Sequence, residues 1–115
     1  TLTVDLPAIV AVTSQLLLNS SQVLTSGAAV NLAVTASYFS TSVASTSTLG
    51  AGTTGQIKTF MMLADGGDMV ITVTNAGWQS SGTGTITFDN IGDGCTLQYI
   101  TSKWFCIGNN GAIFA

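Results

Sequence analysis

Alternation of apolar and polar side chains with a period of two runs through most of this 115-residue chain. Met69–Thr74 is a clear case, because Met69, Ile71 and Val73 alternate with one valine and two threonines. Successive side chains of a strand point to opposite faces, so this period predicts half-buried β-strands. Gly, Asn and Asp at the breaks indicate turns between them. The pattern therefore predicts an all-β fold, a compact antiparallel β-sandwich or barrel-like domain.

Two other segments carry the same alternation. Ala28–Tyr38 predicts a strand with Val30, Leu32 and Val34 on one face. Gln56–Leu63 predicts a second strand, and its two faces consist of Ile57, Met61 and Leu63 on one side and of Lys58, Phe60 and Met62 on the other. The alternation assigns side chains to two faces of each strand, and it leaves open which face is buried.

Turn residues predict how the strands connect. Asp65-Gly66-Gly67-Asp68 is typical of a hairpin turn, and it lies between two predicted strands. Cys95–Ile100 and Trp104–Ile107 are expected to form the last hairpin. Neither loop length that fits this hairpin sets Cys95 directly opposite Cys106. Two buried free thiols are therefore favoured over a disulfide, as in a protein made in a reducing cytosol.

The first half of the chain differs in composition from the second. Residues 40–55 are small and polar, which predicts a linker or a long loop over a surface. This division gives residues 1–50 as an N-terminal arm with strands, and residues 51–115 as a compact β body, in one structural domain overall. Ile9–Leu18 fits a helix or a strand equally well.

Charged residues are scarce. They make up 6% of the chain, as five Asp and two Lys with no Glu, Arg or His, against roughly 25% in an ordinary soluble domain. A surface of hydroxyls and amides repels its own kind weakly, and it leaves the edges of a sheet without the charges that normally protect them. The composition therefore predicts a protein that assembles, with itself and with a partner surface.

The same scarcity argues against several functions. Two lysines give no basic patch for nucleic acid. The longest apolar run, Leu16–Leu18, is far too short to span a membrane, and no signal peptide is evident at the N-terminus. Without His, neither a Ser-His nor a Cys-His pair exists, so the chain is not expected to be an enzyme. A small-molecule ligand is not expected either.

The aspartates after Asp5 stand beside Gly or Asn in predicted turns. Asp65 with Asp68, and Asp89 with Asp93, offer carboxylates of the kind that Ca²⁺ prefers, but neither pair has the ligand spacing of a calcium loop. Aspartate also forms turns through its own side-chain hydrogen bonds. The turn role is favoured, and no metal or cofactor is predicted.

A series of short motifs in the second half resembles a known class of protein. It is similar to small virion structural proteins of tailed bacteriophages, particularly marine and cyanobacterial ones, over residues 55–111. The motifs are Gly55–Phe60, Asp65–Thr72, Ile86–Phe88, Ile91–Asp93, Leu97–Tyr99 and Lys103–Phe105. The resemblance implies a homotrimeric β protein on the virion, with no catalytic residues.

Two placements on the virion follow from the resemblance. One is a head decoration (cement) protein on the capsid exterior, which binds the major capsid protein. The other is a head- or tail-fibre module that binds a host-surface glycan or receptor. The chain is short and lacks sequence repeats, which favours decoration. Trp78, Trp104 and Phe105 are expected to pack in the core or the trimer, although exposed aromatics would also suit a sugar-stacking site.

The two ends of the chain are the remaining candidates for partner contact. The first dozen residues, which include Thr1, Leu2, Val4 and Leu6, are expected to form an extended N-terminal arm that touches the partner. Phe114, near the other end, is expected to insert into a neighbouring subunit.

Overall fold

The structure, a computed structural model, describes residues 21–115. Within this range the regular structure consists of strands alone, so the all-β prediction is confirmed. The nine strands are β1 Ser21–Val23, β2 Ala36–Thr41, β3 Ser45–Leu49, β4 Ile57–Asp65, β5 Met69–Thr74, β6 Thr83–Phe88, β7 Gly94–Ile100, β8 Lys103–Asn110 and β9 Ile113–Phe114. No helix with the length and apolar character of a membrane span occurs in these residues.

The strands form two sheets that pack face to face. One sheet has five strands in the order β1-β2-β4-β7-β8, and the other has four in the order β3-β5-β6-β9. Phe39 and Phe60 of the five-stranded sheet meet Phe88 of the four-stranded sheet, with ring centroids 5.0 and 6.1 Å apart. The core is therefore the layer between the sheets, where alternate side chains of both interdigitate.

The sheets are mixed, so the prediction of a purely antiparallel fold is wrong. β1, β2 and β4 are parallel neighbours in one sheet, and β3 and β5 are parallel neighbours in the other. The remaining pairs are antiparallel. Parallel pairing arises because β2 and β4 are each followed by a turn that leads into the opposite sheet rather than back along the same one.

The Asp65–Asp68 turn is one of these crossings, so the hairpin predicted there is also wrong. β4 and β5 lie in different sheets, and a strand–turn–strand unit of this kind is called an arch below. A Cβ on Gly66 would lie 2.6 Å from the carbonyl oxygen of Thr41, and one on Gly67 would overlap the backbone of Val43. The two glycines therefore allow this turn to pass against the turn that joins β2 to β3.

Arches account for most of residues 21–115. Five of them stack in order along the two sheets, and each contributes one strand or segment to each sheet: β1 with residues 27–30, β2 with β3, β4 with β5, β6 with β7, and β8 with β9. Residues 27–30 join through backbone hydrogen bonds from Gly27 to Thr46 and from Val30 to Thr48. The chain lacks a sequence repeat, yet it repeats one structural unit.

The strand predicted over Ala28–Tyr38 is present only from Ala36 onward. Before it, residues 27–30 bond to the backbone of β3, and the next residues bond to side chains instead of continuing as a strand. Gln22 Nε2 donates to the carbonyl of Ala29, and Gln56 Nε2 donates to that of Leu32. Because side chains satisfy the backbone here, residues 31–35 form turns and bends although their side chains alternate.

Residues 40–55, predicted to be a linker or loop, contain strand β3. Its inward side chains are Ser45, Ser47 and Leu49, all buried. The two serine hydroxyls donate to the carbonyls of Val43 and Ala28, which makes their burial tolerable. Small polar residues thus form a buried strand here, and both sheets combine strands from before and after residue 50.

The last hairpin is confirmed, with a two-residue loop of Thr101 and Ser102. Cys106 pairs with Leu97 across it, and both cysteines are free thiols. Cys95 is buried, and burial, with the neighbouring Cys106, raises its pKa to about 12. Cys106 lies in the part of β8 whose residues are all exposed, from Phe105 to Asn110, so the prediction of two buried thiols is wrong for this residue.

Candidate assembly surface

The outward side of the five-stranded sheet carries large apolar side chains that are open to solvent. We call it the apolar face, and it consists of Val23, Tyr38, Ile57, Met61, Leu63 and Phe105. Ile57, Met61 and Leu63 are 42, 48 and 45% exposed, and Val23 is 61% exposed. Single exposed apolar residues are ordinary, but a contiguous group on one face marks an interaction surface.

Strand register brings these side chains into contact rows. Val23 of β1 is opposite Tyr38 of β2, which is opposite Met61 of β4. Ile57 and Phe105 are each opposite Gln98 of β7. Neighbouring strands lie about 4.8 Å apart, so side chains in one row touch. The apolar face is therefore continuous across β1, β2 and β4, and Gln98 of β7 separates Ile57 from Phe105 of β8.

Two shallow grooves lie on this face. One of about 220 Å³ is lined by Ala36, Tyr38, Thr59, Met61 and Leu63, together with backbone of the adjacent positions. The other, of about 340 Å³, lies on the far side of Met61 and has glycines in its floor. Met61 stands between the two grooves, which makes it the central side chain of the face.

Charge is nearly absent from this surface. The strands of the five-stranded sheet carry Asp65 at the end of β4 and Lys103 at the start of β8. Their remaining charged residue, Lys58, points inward and is fully buried. An interface core depleted of charge is typical of stable protein contacts. The composition of the apolar face thus suits burial against another protein.

The buried hydrogen bonds of Lys58 help to decide which face of β4 points inward. Its Nζ donates to the carbonyls of Asn31 and Val34, at 3.0 and 2.7 Å, and to Ser37 Oγ at 3.1 Å. Desolvation lowers its pKa to about 8. With Lys58, Phe60 and Met62 inside, the alternation of β4 leaves Ile57, Met61 and Leu63 outside.

The outward side of the four-stranded sheet has a different character. We call it the threonine face, because seven of its side chains are threonines: Thr46, Thr48, Thr72, Thr74, Thr83, Thr85 and Thr87. Thr48, Thr72 and Thr85 are adjacent in one row across three strands. Threonine favours strands while keeping a hydroxyl in water. This face needs no partner to be stable.

The aromatic residues singled out from the sequence lie in different places. Trp104 is fully buried, with its ring edge-on to Tyr99 and its Nε1 bonded to the Gly50 carbonyl at 2.9 Å. It belongs to the core, which is the first of its two predicted roles. Phe105 is 41% exposed and belongs to the apolar face.

Trp78 and Phe114 pack against each other, edge to face at 4.9 Å. Trp78 Nε1 also donates to the carbonyl of Ala115, so the C-terminal tail lies on its own chain. The other predicted contact residues, Thr1, Leu2, Val4 and Leu6, lie outside the described residues, as does Ile9–Leu18.

The aspartates act as turn formers where their bonds are described. Asp93 is buried, and its Oδ2 accepts the backbone N–H groups of Asp89 and Asn90. Asp65 Oδ1 accepts the N–H of Gly67. Among residues 21–115, no group of three or more acidic or sulfur ligands comes together to hold a metal ion.

Sequence reasoning missed Tyr38, Ile57, Met61 and Leu63 as a surface. The alternation separated the two faces of β4 and left open which of them is buried. The one available signal was that Lys58 shares its face with two larger apolar side chains.

No protein-family model matches the chain, and no curated protein or solved structure matches it either.

Proposed function

We propose that the chain is a non-enzymatic virion structural protein, a decoration (cement) protein on the exterior of a tailed-phage head, made in the host cytoplasm. The observation that supports it most is the apolar face, a contiguous and nearly uncharged surface of the five-stranded sheet. In this proposal the apolar face binds the major capsid protein. Binding to adjacent capsid subunits would hold them together against the pressure of the packaged DNA.

Burial of apolar surface supplies the energy for such a contact. Each Å² removed from water contributes about 25 cal/mol, and a face without charges avoids the desolvation that opposes association. When the chain binds, Val23, Met61 and Phe105 lose their contact with water, and the free energy of burying them favours the bound state. We further propose that the protein acts as a homotrimer, which multiplies this contact through three tethered copies.

The placement of the aromatic residues supports decoration over the alternative, a fibre module that binds host glycans. Sugar recognition by stacking requires aromatic rings with an open face. Trp104 is buried and Trp78 is covered on one side by Phe114. In the described range, the open aromatic surface that remains on the apolar face comes from Phe105 and the half-buried Tyr38.

The proposal is tested on phage particles that lack this chain. We expect them to release their DNA at a lower temperature than complete particles, and added wild-type protein to restore the difference. Met61→Glu places a charge at the centre of the apolar face, and we expect it to weaken binding to the particle at least about 30-fold, the effect of losing a central contact worth about 2 kcal/mol.

Thr72→Glu is the matched control, since it places the same charge in the middle of the threonine face. We expect it to restore heat resistance as the wild type does. Equal binding by the two variants would remove the apolar face from the proposal, and particles that keep their DNA without the chain would end the cement function. Native mass spectrometry of the free protein tests the trimer.

A further inference from the structure

The stack of arches has two ends, and they are unlike. At the first end the outermost elements are β1 in one sheet and residues 27–30 in the other. At the last end they are β8 and β9. We call the first end the open end, because within residues 21–115 no strand pairs with the outer side of β1.

Backbone groups of β1 point outward at the open end. The N–H of Leu24 donates to the carbonyl of Tyr38 in β2, at 2.8 Å. In a parallel ladder, alternate residues of a strand bond to the same neighbour. Gln22 and Leu24 therefore face β2, and the N–H and C=O groups of Ser21 and Val23 face away from it.

The open end lacks three of the features that protect a sheet edge, namely charged side chains, prolines and bulges. The described part of β1 is short, at three residues, and shortness is the one protective feature it has. Residues 21–30 contain neither a charge nor a proline. At the last end, by contrast, β8 carries Lys103, and the register between β7 and β8 shifts at Thr96 and Leu97. The difference leaves room for a further strand on the outer side of β1.

The chain itself contains a segment that suits the position beyond β1. Leu2–Leu6 alternates apolar and polar side chains, and it contains Asp5 and is followed by Pro7, the one proline of the sequence. A charge and a proline are the features of an outermost strand. The segment therefore has what the open end lacks.

The spacing along the chain agrees with the arches already present. Strands that are parallel neighbours need a connection of about a dozen residues or more. Twelve residues, 24–35, separate β1 from β2, and fifteen, 42–56, separate β2 from β4. Residues 7–20, fourteen in number, separate Leu2–Leu6 from β1. This connection has the length that a further parallel arch requires.

We propose that Leu2–Leu6 binds the open end of its own chain, pairing with β1 as the next parallel strand of the five-stranded sheet. Attachment through residues 7–20 holds the segment near this edge at a high effective concentration. The pairing closes the edge that β1 otherwise presents to other chains. This proposal does not depend on the proposed capsid function.

Amide hydrogen exchange by NMR tests the pairing, on the full chain and on a variant that starts at Asn19, which keeps the peptide N–H of Ser21. We expect the amides of Ser21 and Val23 to exchange slowly in the full chain and at least about tenfold faster in the shortened one, because their bonding partner is gone. The amides of Ile71 and Ile86, at the centre of the other sheet, are the internal control and are expected to be unchanged.

A second variant covers the case in which the shortened chain fails to fold. Val4→Pro removes one N–H in the middle of the segment and distorts strand pairing, so we expect faster exchange at Ser21 and Val23 with the rest of the protein intact. Val4→Ala is the control and is expected to retain protection. Protection that Val4→Pro leaves unchanged would contradict the pairing.

Dilution distinguishes pairing of β1 with Leu2–Leu6 of the same chain from pairing with Leu2–Leu6 of a second copy. Pairing within one chain predicts exchange rates at Ser21 and Val23 that stay constant over a hundredfold range of protein concentration, since the contact is intramolecular. Rates that rise on dilution would instead assign the contact to an arm reaching a neighbouring subunit, and would overturn the proposal.

Discussion

The two outer faces of the sandwich share one backbone geometry and differ in chemistry. On the threonine face, Thr72 and its neighbours are strand-forming residues that remain hydrated. On the apolar face, Ile57, Met61 and Leu63 hold the corresponding outward positions of β4. Threonine and isoleucine favour strands, and methionine and leucine have no such preference. Strand formation alone therefore explains the threonine face, whereas the apolar face needs a further reason, which the proposed association would supply.

Inward and outward apolar side chains also differ in whether their burial stabilises the monomer or remains available for a partner. Side chains on the inner face of either sheet lose their contact with water when the chain folds, and they stabilise the monomer. Met61 and its neighbours remain about half exposed after folding, so most of their hydrophobic free energy is still available for a partner. The threonine face has little such free energy left to contribute.

The largest expected effect contrasts two successive residues of β4. Phe60 is 1% exposed and contacts Phe88, so Phe60→Ala should lower the free energy of unfolding by about 3–5 kcal/mol. Met61→Ala, on the opposite face, should lower it by less than about 1 kcal/mol. Urea denaturation measures both. A similar loss for Met61 would mean that the apolar face is already covered within the single chain.

A smaller effect concerns Lys58, the inward side chain that leaves the apolar residues outside. Its pKa is lowered to about 8 in the folded state, so the unfolded chain binds more protons between pH 8 and its usual pKa near 10.5. The contribution of Lys58 to stability should therefore rise across this window, by up to about 3 kcal/mol, and be least favourable below pH 8.

Lys58→Met isolates this contribution, because the variant retains every other titrating group. Cys95 acts in the opposite direction: burial raises its pKa to about 12, so the unfolded thiol ionises first and stability falls above about pH 9. Taking the difference between wild type and variant cancels that effect. A difference in unfolding free energy that is flat from pH 7 to 10 would show that Lys58 is not desolvated.

The smallest expected effect comes from making the threonine face more like its counterpart. Thr72→Val removes one exposed hydroxyl and keeps the branched shape that suits a strand, so the free energy of unfolding should change by less than about 0.5 kcal/mol. Analytical ultracentrifugation should show the same oligomeric state as the wild type. Strong self-association of this variant would mean that the two faces differ less than their exposed side chains suggest.

Local pattern was enough to predict the all-β class and part of the strand set. Met69–Thr74 and the hairpin of β7 and β8 appear as expected, because alternation and turn residues act over a few positions. The pattern failed where distant side chains intervene. Gln22, Gln56 and Lys58 donate to carbonyl groups within residues 29–34, and no local pattern indicates that side chains so distant in the sequence will bond there.

The alternation could not predict the apolar face for a similar reason. The aromatic residues chosen from the sequence divided between core and surface, with Trp104 inside and Phe105 outside. An alternation with a period of two shows only that neighbouring residues face opposite sides of the strand. Which side is buried depends on what packs against it. For β4 that is the second sheet, whose strands come from both sides of it in sequence.

What the sequence determined by itself is a chain of strands with little charge and with glycines at its turns. Those properties are local or compositional, so they need no knowledge of the fold. The tertiary structure alone decided that Gly66 and Gly67 join two sheets rather than form a hairpin, and that the lysine side of β4 is the buried one. Both outcomes depend on packing between segments far apart in the chain, where a few hydrogen bonds from Lys58 and the bulk of Phe60 and Met62 outweigh the preference of a charge for water.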